Sequence, residues 1–192
     1  MIRSLALLLA LLPAAALAHS GHDHAAAPME SALTQERLLL PDIPVTDTQG
    51  ETAGFVTRYG DAGPVLISFI YTECKDNCTM VKAVMKLVDA DLQAPGAPPL
   101  RLIALSVDPW RDTPGTLATA AAEIEASGNW DWLVASRADT PVLLSAFGLK
   151  PGPVEAHEAV YLLGDLRSGT FWRISGVPDP AQLIEQARGI AP

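Results

Sequence analysis

The sequence predicts an α/β domain, and three patterns within its 192 residues carry that expectation. Residues 64–71, Pro-Val-Leu-Ile-Ser-Phe-Ile-Tyr, are β-rich and almost continuously apolar, as expected of a strand in the middle of a sheet covered on both faces. Residues 100–107 form a second run of the same kind. Between them Val81, Val84, Met85, Val88 and Leu92 recur at helical spacing, with Lys82, Lys86, Asp89 and Asp91 at other positions, and Pro95-Gly96 ends the pattern. Such a strand, helix, strand unit crosses over right-handed and makes its strands parallel.

Residues 25–35 are Ala-rich and lack an apolar period, so residues 19–35 read as a mobile arm. From Arg37 short apolar runs alternate with Pro and Gly. Leu38-Leu39-Leu40, Ile43 to Val45 and a turn at Gln49-Gly50 leading to Phe55 and Val56 together predict an N-terminal β-hairpin. Beyond the central unit, Thr113-Pro114 and Thr140-Pro141 each announce a helix, because a hydroxyl caps orphan amides and Pro at the first helical position loses no needed donor. The first of these helices is expected to end near Gly128. Trp132-Leu133-Val134-Ala135 reads as a short strand between them. Residues 159–163 and 171–174 flank Gly164-Asp165 and Ser168-Gly169 as an antiparallel hairpin, and Asp179-Pro180 opens a closing helix through Leu183, Ile184 and Ala187. The order βαβ, then a helix, then ββα is the thioredoxin pattern. It is expected over residues 36–192, with an added N-terminal β-hairpin and an inserted strand and helix.

An apolar content of 49% with 18% charged residues fits one globular domain. The formal charge of −9 argues against nucleic acid as a partner, since such binders neutralise phosphates with clustered Lys and Arg. Arg3, the apolar residues 5–12 and Ala16-Leu17-Ala18 read as a secretory signal over residues 1–18. Pro13 interrupts the apolar segment, whereas a spanning helix wants about 20 strongly apolar residues. The expectation is export to the periplasm as a soluble, membrane-proximal chain; an uncleaved signal would leave it anchored.

The chain has two cysteines, Cys74 and Cys78, where the central strand hands over to its helix. Residues four apart share a helix face, so both sulfurs can point at one atom. The amino end of a helix favours thiolate, which serves metal binding and disulfide exchange alike. A structural disulfide is the plain alternative in an exported chain. Closing a loop of about five residues, however, contributes only about 2 kcal/mol of chain entropy, against about 5 kcal/mol for a loop of about a hundred. A brace would span more chain, and α/β proteins place their sites at the carboxyl ends of strands. Soft thiolates select Cu(I), while a structural zinc site wants four protein ligands and the folded part offers three. The cysteines alone leave metal and redox chemistry open.

Of four histidines, His19, His22 and His24 lie in the arm and His157 in the loop before residues 159–163. Three His in six residues is metal-tract composition, and cleavage after Ala18 would expose an amino-terminal His able to chelate Cu(II); a polar tail is the alternative. His157 alone reads as a surface residue. Its reading changes with three segments: Phe69-Ile70-Tyr71-Thr72-Glu73-Cys74-Lys75-Asp76-Asn77-Cys78, then Ser106-Val107-Asp108-Pro109-Trp110-Arg111-Asp112-Thr113-Pro114, then His157-Glu158-Ala159-Val160-Tyr161-Leu162-Leu163. In this order and context they resemble the Sco/SenC family, thioredoxin-like copper proteins associated with assembly of cytochrome c oxidase. The resemblance covers residues 41–192.

That resemblance implies Cys74, Cys78 and His157 as copper ligands, with Asp108 beside the site in its organisation or in partner contact. Two positions depart from the family pattern: Thr79 stands where Pro is common after the second cysteine, and Trp110 where an acidic residue is common. Thr79 bears on the helix start and on thiol reactivity. Trp110 is expected to pack against the cysteine loop, Met80 to pack rather than ligate, and Trp130 and Trp132 to be core and rim aromatics. The implied function is a copper chaperone that holds Cu(I) and passes it by ligand exchange to the copper-site subunit of a respiratory oxidase or another copper protein; whether the chain is also an enzyme is left open. Its oxidised, copper-free form would carry a Cys74–Cys78 disulfide. The alternatives are a thiol-disulfide oxidoreductase using that pair, and a copper-sensing or storage protein binding through the arm.

Overall fold

The two apolar runs and the segments around them build a single sheet. The computed structural model describes residues 32–74, 77–150, 152–156 and 158–190. Among these, the strands are β1 (Ala32–Arg37), β2 (Pro44–Asp47), β3 (Thr52–Gly54), β4 (Pro64–Ile70), β5 (Arg101–Ser106), β6 (Trp130–Ala135), β7 (Val160–Asp165) and β8 (Thr170–Ser175). The helices are α1 (Phe55–Tyr59), α2 (Asn77–Leu92), α3 (Pro114–Glu123), α4 (Thr140–Ala146) and α5 (Pro180–Arg188). The strands join in the order β1-β8-β7-β4-β5-β6-β2-β3.

β4 pairs in parallel with β5 and antiparallel with β7, and all seven of its residues are buried. Alternation along the strand divides them between two cores. Leu66 and Ile70 pack with Val81, Val84, Met85 and Val88 of α2, Leu117 of α3 and Leu183 of α5. Val65, Ile67 and Phe69 pack with Phe55 and Tyr59 of α1 and Leu143 of α4. Helices thus cover both faces, which is why these strands read as unbroken apolar runs. The expected antiparallel hairpin is present as β7 and β8, and Asp179 accepts from Ala181 N at 2.9 Å to start α5.

Five local readings differ from expectation. β1 pairs with β8, Arg37 opposite Thr170, so residues 32–35 belong to the sheet rather than to the arm. Its order comes from the backbone ladder and the Arg173–Glu36 ion pair at 2.8 Å, neither of which leaves an apolar period. The remainder of the expected arm, residues 19–31, and the expected signal at residues 1–18 lie outside the described residues.

β2 and β3 do form an antiparallel hairpin, its turn helped by Gly50 at φ +85°. Phe55 and Val56, expected in its second strand, open α1 instead. The Asp42 carboxylate accepts from Thr57 N at 2.8 Å and Thr57 Oγ1 at 2.6 Å, and the Phe55 and Tyr59 rings meet one turn apart at 5.2 Å.

α3 starts as expected, with Thr113 and Thr116 exchanging side-chain and backbone hydrogen bonds at 3.2 and 2.8 Å, but ends at Glu123 rather than near Gly128. Glu125 takes a φ of +52°, and the buried Asp89 carboxylate captures Ser127 N at 2.9 Å and Ser127 Oγ at 2.5 Å. Thr140 is no cap. It lies inside α4, buried, and its hydroxyl donates to Ser136 O at 2.8 Å. Trp130 and Trp132 are both core residues, their rings 5.2 Å apart. Among the described residues no helix is long and apolar enough to cross a membrane.

Met85 is fully buried between α2 and the sheet. Met85→Ala is expected to cost about 2–5 kcal/mol through lost contacts and the cavity left behind, read as a lowered midpoint in chemical denaturation at unchanged slope.

Candidate functional site

Parallel pairing brings the carboxyl ends of β4 and β5 side by side, with Val107 N donating to Ile70 O at 2.8 Å. Two loops leave from there, one toward the cysteines and one through Asp108 to Asp112. The Asp112 carboxylate, 4% exposed, joins them. It accepts from Thr72 Oγ1 at 2.6 Å and Thr72 N at 3.2 Å in the first loop, and from Ser106 Oγ at 2.6 Å at the end of β5. Ser106 Oγ in turn accepts from Asp108 N at 3.1 Å.

Cys74 closes its loop by donating from N to Tyr71 O at 3.3 Å, and Cys78 lies in the first turn of α2. Their Cα atoms are 5.7 Å apart and the sulfurs form a disulfide, at 7% and 6% exposure. Both sulfurs therefore reach one point, as their spacing predicts. Cys78 N donates to Cys74 Sγ at 3.2 Å, so an amide at the amino end of α2 faces that sulfur. On reduction this donor favours a thiolate at Cys74.

Asp108, 2% exposed, accepts from Trp110 N at 3.3 Å and is ion-paired with Arg111 Nε. Arg111 then reaches Glu73 of the cysteine loop at 3.3 Å and Glu155 at 3.5 Å, and its guanidinium lies 5.9 Å from the Tyr71 ring centroid. The hydrogen bond to Asp108, followed by the attraction of Asp108 and Glu73, raises the Arg111 pKa above its ordinary value, so it is a permanent cation. Glu155 belongs to a 3-10 turn, Val154–Ala156. The chain then enters β7, which runs antiparallel to β4 with Tyr161 opposite Ser68, so it arrives at the carboxyl end of β4.

The structure thus brings together Cys74, Cys78 and the region of Asp108. His157, His19, His22 and His24 lie outside the described residues, and among the described residues no group of three or more His, Cys, Asp or Glu is arranged to hold a metal. Among the described residues, Trp110 does not pack on the cysteine loop. It is 70% exposed, with the Arg137 guanidinium 4.4 Å from its ring centroid and Arg137 Nε donating to Pro109 O at 3.4 Å. Met80 is also turned away from the core, at 48% exposure, while its neighbour Val81 is buried. Sequence reasoning quoted Glu73, Arg111 and Asp112 within the segments that carry the resemblance but gave them no role, and did not reach Glu155. The available signal was three charged residues, Asp108, Arg111 and Asp112, packed into the one loop that follows a buried strand.

A family model described as SCO1/SenC matches residues 34–159. Among solved structures, a SCO1/SenC family lipoprotein from Bacillus anthracis str. Ames is similar with a TM-score of 0.71 at 20% identity, covering 83% of this chain and 98% of its own. BsSco, described as a member of the Sco family of cytochrome c oxidase assembly proteins with a disulfide switch, has a TM-score of 0.68 at 23% identity, covering 82% and 95%. Yeast Sco1 with copper bound has a TM-score of 0.66 at 17% identity, covering 82% and 97%. No curated protein matches the sequence. At these identities the likeness shows the fold, which is thioredoxin-like.

Asp112→Ala leaves the buried Ser106 hydroxyl and the Thr72 amide and hydroxyl without their acceptor. A loss of about 1–3 kcal/mol is expected by thermal denaturation, together with faster reaction of the reduced cysteines with a thiol reagent as their loop loosens.

Proposed function

The chain belongs to the SCO1/SenC family, and from that premise we propose that it is an exported, periplasmic copper chaperone that delivers copper during assembly of a cytochrome c oxidase copper site. The observation that carries this reading is the meeting of two shielded sulfurs at the amino end of α2, beside the carboxyl ends of the central strands. Two thiolates are soft donors suited to Cu(I), and the imidazole of His157 is the proposed third ligand. Copper is cargo here, so the site must both take it and release it. Asp108 organises the loop beside the sulfurs, and His19, His22 and His24 form a proposed second copper-binding element in the arm.

In the state described, the sulfurs are bonded to each other and are not available as thiolates. A dithiol reductant, itself oxidised to a disulfide, supplies the two electrons and two protons that convert the bond into two thiols. Binding of Cu(I) then releases those protons. Transfer proceeds by ligand exchange to the copper-site subunit of the oxidase. The copper-bound state of yeast Sco1 and the oxidase-assembly description of BsSco support this reading.

The disulfide also favours a second reading, a thiol-disulfide oxidoreductase acting on the cysteines of a copper-site subunit. There a thiolate of this chain attacks the partner's disulfide, a mixed disulfide forms, and the second thiol resolves it. Two electrons pass to the partner and the Cys74–Cys78 bond is restored.

Titration of reduced protein lacking residues 1–18 with Cu(I) against a competing chelator separates these readings. One-to-one binding is expected, with none at this site in the oxidised protein. Cys74→Ser abolishes it, and His157→Ala weakens it by at least the roughly 10-fold that loss of a second-shell partner costs. Binding that survives both substitutions and vanishes on removal of residues 19–24 contradicts the chaperone site. Disulfide exchange without Cu(I) affinity favours the oxidoreductase.

A further inference from the structure

We propose that Arg111 is a positioning residue that couples the cysteine loop to the segment leading to His157, so that one guanidinium holds both halves of the site together. Its consequence for copper rests on the chaperone reading; the coupling itself rests on geometry. Arg111 is anchored to Asp108, whose side chain is 3% exposed, and from that anchor spans Glu73, next to Cys74, and Glu155, two residues before position 157. The Tyr71 ring lies beside the same guanidinium. The three carboxylates come from three separate segments.

Magnitude is the natural objection, because Glu73 and Glu155 are each 66% exposed in their side chains, and exposed ion pairs contribute little singly. The usual weakness of such a pair is the entropy of immobilising a long side chain. Here the buried Asp108 has already immobilised it, since a carboxylate withdrawn from water needs its cation. Glu73 and Glu155 then meet a donor that is in place. Arginine suits the role because its rigid planar fork presents several N–H groups in fixed directions, whereas lysine offers a compact charge on a flexible stem. Such a residue fixes where ligands sit without touching the metal, the role that outer-shell partners play in metal sites.

The test combines hydrogen exchange on copper-free, reduced protein with Cu(I) affinity. Arg111→Gln is expected to speed exchange at the amides of Glu73 and Cys74 and of residues 154–156 while leaving β4 and β5 unchanged, and to lower Cu(I) affinity about 10- to 100-fold. Arg111→Lys restores only part of either. Glu155→Gln speeds residues 154–156 and leaves the cysteine loop as it was. Should Arg111→Gln fail to fold, the double variant Glu73→Gln, Glu155→Gln keeps the Asp108 pair and removes the coupling alone, with the same two signatures expected. Exchange that rises uniformly through β4 and β5, or that stays unchanged in both loops, overturns the proposal. A wild-type protein that binds no Cu(I) while the local exchange pattern holds overturns the chaperone reading and leaves the coupling standing.

Discussion

A single buried carboxylate, that of Asp112, holds the functional end of this molecule in shape. The parallel pair β4 and β5 delivers two chain ends to one place, and nothing in a sheet ladder decides where the chain goes next. Asp112 decides it by accepting from the first loop at Thr72 and from the end of β5 at Ser106. It also directly precedes Thr113, the cap of α3, so the same residue sets the point from which that helix departs. Burying a carboxylate is costly unless its oxygens are satisfied, and here three donors satisfy them. The loop is consequently defined by its polar interior as firmly as the sheet is by its apolar faces.

Upon that frame the cysteines are placed so that bonding to each other and the proposed sharing of a metal are competing uses of the same two atoms. The five-residue loop between them gives the disulfide little hold on the fold, about 2 kcal/mol by chain entropy. The two apolar cores supply the stability instead, so the bond is free to be made and broken without unfolding the domain. The helix amino end and the amide facing Cys74 favour thiolate once the bond is reduced. The sequence of states proposed for the protein, oxidised, reduced and metal-loaded, follows from chemistry at this one pair.

The elements legible in the sequence were those that bury both faces or carry a specific cap. β4, α2 and β5 declare themselves because packing on two sides leaves an unbroken apolar run or a helical period, and α5 because Asp179 precedes Pro180. β1 was hidden because an edge strand is ordered by backbone pairing, which any side chain permits. The early end of α3 depends on Asp89, a residue that looks solvated on a helical wheel and is in fact buried against Ser127 from another segment. The cysteine pair was legible by spacing. Arg111 and Asp112 were not, because charged residues in a loop read as surface until the partners in Thr72, Glu73 and Glu155, distant in sequence, are seen. Trp110 escaped for the converse reason: an aromatic side chain suggests packing, and its neighbour is the cation Arg137.

The central claim is that copper binds at the two sulfurs with one imidazole. X-ray absorption at the copper edge of reduced, Cu(I)-loaded protein truncated to begin at residue 25 tests it most directly. The account predicts two sulfur scatterers and one histidine nitrogen per copper, with the nitrogen signature lost in His157→Ala. A copper environment without sulfur, or one whose nitrogen component is indifferent to His157, would contradict it.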